Sequence, residues 1–270
     1  MLVEKHWIIQ IEEYIFNTMN KIEVVTSITG GKDNLNHDQV TGNAIFTVYS
    51  DVEIPSTTWK CKKAYDNFKD QRRNSRIPKI LIHKFSDADI TIWMDGNMKL
   101  LVLPEILVEK YLQDYDMAIF AHGMRDCIYD EAMTCAKLRL DDPEIIIEQA
   151  KYYEDNEYGK HKGLCEGGFI IRRNNARTKA FNEAWWADYC RFSRRDQLSL
   201  MPAMVSSRVR VNIINERWVM NPIDQNSALL YDRLILNKSA FHLEKTLRTS
   251  PNLYDRERML GISSYQQTQA

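Results

Sequence analysis

The sequence predicts an open α/β fold, in which strands and helices alternate and a ligand site lies beyond the carboxyl ends of the strands. Three observations carry that expectation. Strand-compatible runs at Ile22–Ile28, Ala44–Tyr49, Ile90–Met94 and Asp116–Ala121 alternate with segments of helical spacing. Several of these runs stop at glycines, carboxylates and hydroxyls: Thr29-Gly30-Gly31, Ser50-Asp51 and Asp95-Gly96-Asn97. The chain has 270 residues, 44% of them hydrophobic and 27% charged, which suits a single α/β domain with a sizeable core.

The totals also exclude. A formal net charge of −1 gives no global field toward nucleic acid or an anionic membrane, so Arg72-Arg73, Arg172-Arg173 and Arg194-Arg195 are local devices or solvated faces. No window of about 18 apolar residues is present, and no membrane span is expected. Glu4, Lys5, Glu12 and Glu13 rule out an ordinary signal peptide over Met1–Asn20. The 5 cysteines are odd in number and widely spaced, with no CxxC pair, so reduced thiols and no zinc knuckle are expected. These features together predict a cytoplasmic protein (host cytoplasm, if viral).

In chain order, residues 1–20 form an amphipathic helical extension, residues 21–242 the α/β domain and residues 243–270 a polar, weakly packed tail. The first strand, Ile22–Ile28, runs into Thr29-Gly30-Gly31, where a backbone can approach a flat ligand closely, although neither GxxxxGK[ST] nor GxGxxG is present. Asp51 ends the second strand, where a ribose or base contact and a plain turn are both open. Trp59–Phe68 carries aromatics at near-helical spacing and reads as core. Pro78 suits the first turn of a helix, on which Arg76, Lys79 and His83 would share one face. Ile90–Met94 then ends at Asp95-Gly96-Asn97. Two oxygen ligands two residues apart can hold a hard divalent cation, and a plain β-turn explains the triplet as well.

Pro104 begins a helix through Tyr111. The strand Asp116–Ala121 delivers His122 and Arg125. Helices follow at Cys127–Leu140 and from Pro143 to Tyr153, the latter capped near Asp141-Asp142. Leu164–Arg173 is a strand entered through Glu166-Gly167-Gly168. Ala176–Phe192 is a helix with Phe181, Trp185, Trp186 and Tyr189 as core. Arg194–Ser199 leads to Pro202, Val209–Ile214 is a late strand, and His242 stands near the end.

The segments Thr29–Leu35, Arg76-Ile77-Pro78-Lys79 with His83, Trp93–Asn97, His122–Cys127 with Glu131, Glu148-Gln149 with Tyr152-Tyr153, Glu166 with Phe169–Arg172, Trp185-Trp186 and Arg194–Ser199 keep their order along the chain. In this set the sequence resembles glycosyltransferases of the TOD1/MUCI70 type, from about Val24 to about Met201. The resemblance implies the GT-A fold, a Rossmann-like mixed, mainly parallel sheet that binds a nucleoside-diphosphate sugar. It implies Mn²⁺ or Mg²⁺ at a DxD-type turn, here Asp95-Gly96-Asn97, with His242 as a further ligand.

On this footing the donor is a nucleoside-diphosphate sugar, UDP-sugar foremost, and the acceptor a hydroxyl of a glycan or of a hydroxylated DNA base. The nucleoside would lie over Thr26, Thr29, Gly30 and Asp51. The leaving diphosphate gathers negative charge, which Asp95 and Asn97 through the metal, together with Arg76, Lys79 and His83, would stabilise. His122, Arg125 and Gln197 would complete the donor site, with a satisfied polar loop as the alternative reading of His122 and Arg125. Asp196 is the expected base or catalytic carboxylate, with an ion pair to a flanking arginine as its structural alternative, and Glu166 the expected sugar or acceptor contact. A retaining reaction would instead place one of the two at the oxocarbenium face. The competing class is a non-catalytic nucleotide-sugar or carbohydrate-binding protein on the same fold; the joint presence of carboxylates at 95, 166 and 196 favours an enzyme.

Overall fold

The computed structural model describes residues 20–31, 33–215, 219–221 and 243–246. The expected extension over 1–20 lies outside the described residues except for Asn20, and so does His242. Ten strands are assigned among them: β1 (Ile22–Ile28), β2 (Ile45–Ser50), β3 (Lys60–Lys63), β4 (Ile90–Met94), β5 (Met98–Leu100), β6 (Met117–Ala121), β7 (Cys165–Arg173), β8 (Val211–Ile214), β9 (Val219–Asn221) and β10 (Leu243–Thr246). The helices are α1 (Gln71–Ile80), α2 (Pro104–Leu107), α3 (Ile128–Lys137), α4 (Pro143–Asp155), α5 (Ala176–Arg191) and α6 (Asp196–Ser207). A 7-stranded sheet in the order β3-β2-β1-β4-β7-β6-β8 forms the centre, and β5, β10 and β9 make a small second sheet.

The central sheet is mixed and mainly parallel: only β7 runs against its two neighbours, β4 and β6. This is the Rossmann-like α/β layout that the sequence predicts. The strands read as near-continuous apolar runs because both faces are covered, and all five residues of β4 are buried. Side chains sort by alternation. Val25, Trp93, Ile119 and Ile170 pack on one face with Phe181, Trp185 and Tyr189 of α5 and Leu200 and Met204 of α6. Val24, Ile92, Met94, Phe120 and Ile171 pack on the other with Leu107 and Leu112.

Four expectations change. Trp59–Phe68 is not a helix: Lys60–Lys63 is an edge strand, and its lysines suit an edge that must not recruit another chain. Trp59 is core all the same, with its ring edge-on to Phe46 at 5.0 Å. The helix around Pro78 begins seven residues before the proline, at Gln71, where the Asp70 side chain accepts from Arg72 N and caps the first turn. Pro78 therefore sits near the end of α1. The helix stops at Ile80, and His83 falls in a separate 3₁₀ turn, Ile82–Lys84. The helix expected over Cys127–Leu140 is shorter at both ends. Finally, Leu243–Thr246, expected in a weakly packed tail, pairs antiparallel with β5 as β10.

Asp116 at the start of β6 ties three elements together. Its carboxylate accepts from Asn175 Nδ2 (2.9 Å), Arg177 Nε (2.8 Å) and Arg210 N (3.0 Å). Burial pushes its pKa up, yet these donors, Arg177 first, outweigh burial and hold it at about 2. A carboxyl depressed in the folded state stabilises above its unfolded pKa and loses that contribution as pH falls. Because the guanidinium partners are half exposed, Asp116→Asn should cost only about 1 kcal/mol in urea denaturation at neutral pH. The gap to wild type should close between about pH 4 and pH 2.

Candidate active site

The carboxyl ends of β1 and β4 carry the first part of the site. Gly30 and Gly31 are both left-handed (φ +66° and +60°), a pair of conformations that the absence of a Cβ permits. Gly30 N donates to Asp51 Oδ2 at 2.7 Å, and Thr29 Oγ1 donates to the Gln71 carbonyl at 2.7 Å, so the loop is pinned to the end of β2 and to the start of α1. Beside it, Met98 N donates to Asp95 O (2.9 Å) and closes the Asp95-Gly96-Asn97 turn, while Asn36 N donates to Gly96 O (2.7 Å). The turn lies directly on β1: a Cβ on Gly96 would stand 2.7 Å from Ile28 Cδ1 and 3.6 Å from Thr26 Oγ1. Gly96→Ala should cost about 1–3 kcal/mol by overpacking, read as a lowered urea midpoint. The Thr26 hydroxyl beneath the turn is buried and makes no hydrogen bond among the described residues.

The reversed direction of β7 completes the site. Because β7 is antiparallel to β4, its entry meets the exit of β4, with Met94 opposite Phe169 and Asp95 N donating to Gly168 O at 2.9 Å. The two glycines of that entry touch different groups. A Cβ on Gly168 would lie 3.4 Å from Asp95 Oδ2, and one on Gly167 would lie 2.9 Å from Lys79 Nζ and 3.8 Å from Asp196 Oδ2. Gly167-Gly168 is thus the seam between the Asp95 turn and a buried charge cluster.

In that cluster, Asp196 at the first position of α6 receives Lys79 Nζ in a short ion pair and Arg76 Nε at 3.1 Å on the same oxygen, Oδ2. Arg76 and Lys79 lie three residues apart on α1 and so face the same way. The Lys79 ammonium also stands 5.8 Å from the ring centres of both Trp93 and Trp185, and Trp185 Nε1 donates to Asp196 O at 2.7 Å. Burial pushes the Asp196 carboxyl up, but Arg76, then Lys79, outweigh it and hold the group far below the usual carboxylate range. Burial brings Lys79 down to about 8 despite Asp196. A carboxylate held in this way has little proton affinity, and its ion-pair partners are Arg76 and Lys79 of α1 rather than a flanking arginine.

The third part hangs from β6. His122 N donates to Leu164 O, and Gly123 N donates to Glu166 Oε1 at 2.9 Å, which places the His122 loop beside the β7 entry. His122 Nδ1 accepts from Met124 N (3.1 Å) and Arg125 N (3.0 Å), which assigns the ring proton to Nε2. Arg125 does not point its charge into open space. Its Nε and a terminal nitrogen lie 2.8 and 2.7 Å from Oε2 of Glu131, a fully buried carboxylate that Arg195 approaches at 3.9 Å on its other oxygen. Burial raises the Glu131 carboxyl, but Arg125, His122 and Arg195 outweigh it and keep it low.

The structure therefore joins Thr26, Thr29, Gly30, Asp51, Asp95, Gly96 and Asn97 at one end of the sheet, with Arg76, Lys79 and Asp196 across Gly167 and with Glu166 and His122 on the adjoining strands. Gln197 follows Asp196 in the first turn of α6, and its Nε2 is buried without a hydrogen-bond partner among the described residues. His83 does not join them. Its ring lies between Glu183 and Asn182 of α5, 3.1 Å from each, because the helix that would have carried it beside Lys79 ends first. Glu131, Arg195 and Trp185 border the site; in the sequence they stand as pieces of the family resemblance, with no role in the site, although Glu131 meets Arg125 and Trp185 meets Asp196 within a dozen positions. Asp95 and Asn97 form an all-oxygen donor pair on one turn, and this set fits a hard divalent cation, with a single formal negative charge.

The sequence is similar to that of known proteins. The family model for the TOD1/MUCI70 glycosyltransferase-like domain matches residues 51–225, more than half of the chain. A curated relative, a probable hexosyltransferase MUCI70 from Arabidopsis thaliana, is 29% identical over 144 residues, covering 49% of this chain and 25% of the relative. The chain thus matches about a quarter of that relative's length.

Proposed function

The chain belongs to the TOD1/MUCI70 glycosyltransferase-like family, and we propose that it moves a hexosyl or pentosyl unit from a nucleoside-diphosphate sugar, UDP-sugar foremost, to a hydroxyl acceptor. The observation that carries this reading is the seam at Gly167-Gly168, which sets the Asp95 oxygens and the Lys79–Asp196 pair side by side at the mouth of the sheet. Ligands of open α/β sheets bind at this end of the strands.

The left-handed Gly30-Gly31 loop and the Thr26 hydroxyl, which makes no hydrogen bond among the described residues, suit a nucleoside lying over β1. Asp95 and Asn97 would hold Mn²⁺ or Mg²⁺, which supplies positive charge to a departing diphosphate. Arg76 and Lys79 retain one net positive charge after pairing with Asp196, and their fixed geometry supplies it without reorganisation. Asp196 is the organiser of those two cations. Glu166, oriented by Gly123 N, is then the carboxylate left to receive the acceptor proton if configuration inverts, or to face the sugar if it is retained.

Thermal-shift measurement with UDP-, GDP- and dTDP-sugars in the presence of Mn²⁺ tests the donor class. A sugar nucleotide at about 100 times its Kd should add about 2.7 kcal/mol of stability. A melting curve unmoved by every donor would overturn the assignment.

A further inference from the structure

We propose that Cys127, Asp130 and His161 form a second cation site, for a borderline-soft divalent ion of the zinc class, distinct from the hard-cation turn at Asp95. One ligand atom from each of the three lies within 4.8 Å of the others. The donors are a thiol sulfur, a carboxylate oxygen and an imidazole nitrogen. Sulfur and imidazole select zinc-class ions over magnesium or calcium, and three protein ligands leave a fourth tetrahedral position for water.

The local fold explains the meeting. Cys127 is the N-cap of α3 and buried, and Asp130 sits in the first turn of the same helix. Residues at N-cap and N3 lie over one another on the helix surface. His161 arrives from the loop that leads into β7, and its Nδ1 stands 2.8 Å from Asp126 Oδ1. An ion on Nε2 would leave Nδ1–H donating to that carboxylate, the arrangement that commonly orients metal-bound histidines. Tetrahedral bonds of about 2.0–2.3 Å set neighbouring ligand atoms roughly 3.5 Å apart. His161 and Asp130 are both exposed, so core packing locks neither side chain away from an ion. The sequence spacing concealed the site, because the third ligand follows the first by more than 30 positions and no CxxC or HxxxH pattern marks it. An ion here would staple the end of the His122–Arg125 loop to the segment that delivers Glu166.

The test uses Co²⁺ as a spectroscopic probe, added to the full chain after chelator treatment. One equivalent should give intense visible bands of four-coordinate cobalt and a near-ultraviolet thiolate-to-metal band, and Zn²⁺ should bleach both. Cys127→Ser should remove the thiolate band. His161→Ala, at an exposed position that leaves the core intact, should weaken Co²⁺ binding about tenfold or more. Asp95→Ala should leave the spectrum unchanged, which separates this site from the proposed donor site. Six-coordinate cobalt without a thiolate band, a band that survives in Cys127→Ser, or one lost in Asp95→Ala would each overturn the proposal and leave His161 and Asp126 as a surface pair only.

Discussion

Asp95→Ala is expected to lower sugar transfer by about 10²–10³-fold, the loss typical when one preorganised electrostatic group is removed from a charge-developing transition state. Its fold should survive. The turn is held by backbone bonds, Met98 N to Asp95 O, Asp95 N to Gly168 O and Asn36 N to Gly96 O, and none of them uses the Asp95 side chain. The expected pattern is therefore lost turnover in a chain that still folds, with Mn²⁺ no longer enhancing the thermal shift given by the sugar nucleotide. Full activity in this variant would remove Asp95 from the donor site. EDTA should suppress wild-type transfer and added Mn²⁺ restore it; insensitivity to EDTA would exclude the metal while leaving the rest of the site standing.

Asp196→Ala is expected to do something different. It leaves Arg76 and Lys79 without their carboxylate in a buried setting, and removing one partner of a buried pair typically costs about 3–5 kcal/mol. For a chain of this size that is a fall of roughly 10 °C in Tm. A carboxylate acting only as a base would lose activity at unchanged stability; the organiser should lose both together. The pH dependence has a definite sign. Burial lowers Lys79 to about 8 in the folded protein against about 10.4 in an unfolded chain, so between these values the unfolded state binds more protons and stability rises with pH. Asp196, depressed in the folded state, contributes above its unfolded pKa and loses that contribution as pH falls through the acid range. From about pH 8 to about 10 the urea midpoint of wild type should therefore rise relative to that of Lys79→Met.

Much of this was legible in the sequence, and the reasons are local. β1 and β4 announced themselves because both faces are buried and the apolar run is nearly unbroken. Asp95-Gly96-Asn97 could be read as a turn because Asp, Gly and Asn suit one for known backbone reasons. The errors arose where a local signal had a stronger competitor. Pro78 was expected to start a helix, but the Asp70 cap had already begun it. His83 had the right spacing for the Lys79 face, yet helical spacing counts only while the helix lasts. The pairing of Arg76 and Lys79 with Asp196, 117 positions beyond Lys79, could not be read from spacing. Glu131 pairs with the nearby Arg125, and only the approach of Arg195 from another element lay beyond local reading. In each case the missing information was the antiparallel β7 and the helix packing, which are tertiary facts.

The most direct test of the central claim is release of nucleoside diphosphate by the purified full chain from a panel of UDP-, GDP- and dTDP-sugars with Mn²⁺ or Mg²⁺, with and without glycan acceptors. The site built from Asp95, the Gly30 loop and Glu166 predicts that one donor is consumed, that an acceptor hydroxyl accelerates its consumption, and that Asp95→Ala slows it by about 10²–10³-fold. Saturable binding of a sugar nucleotide with no turnover under any condition would contradict that prediction and make the protein a nucleotide-sugar binder on a glycosyltransferase-like fold.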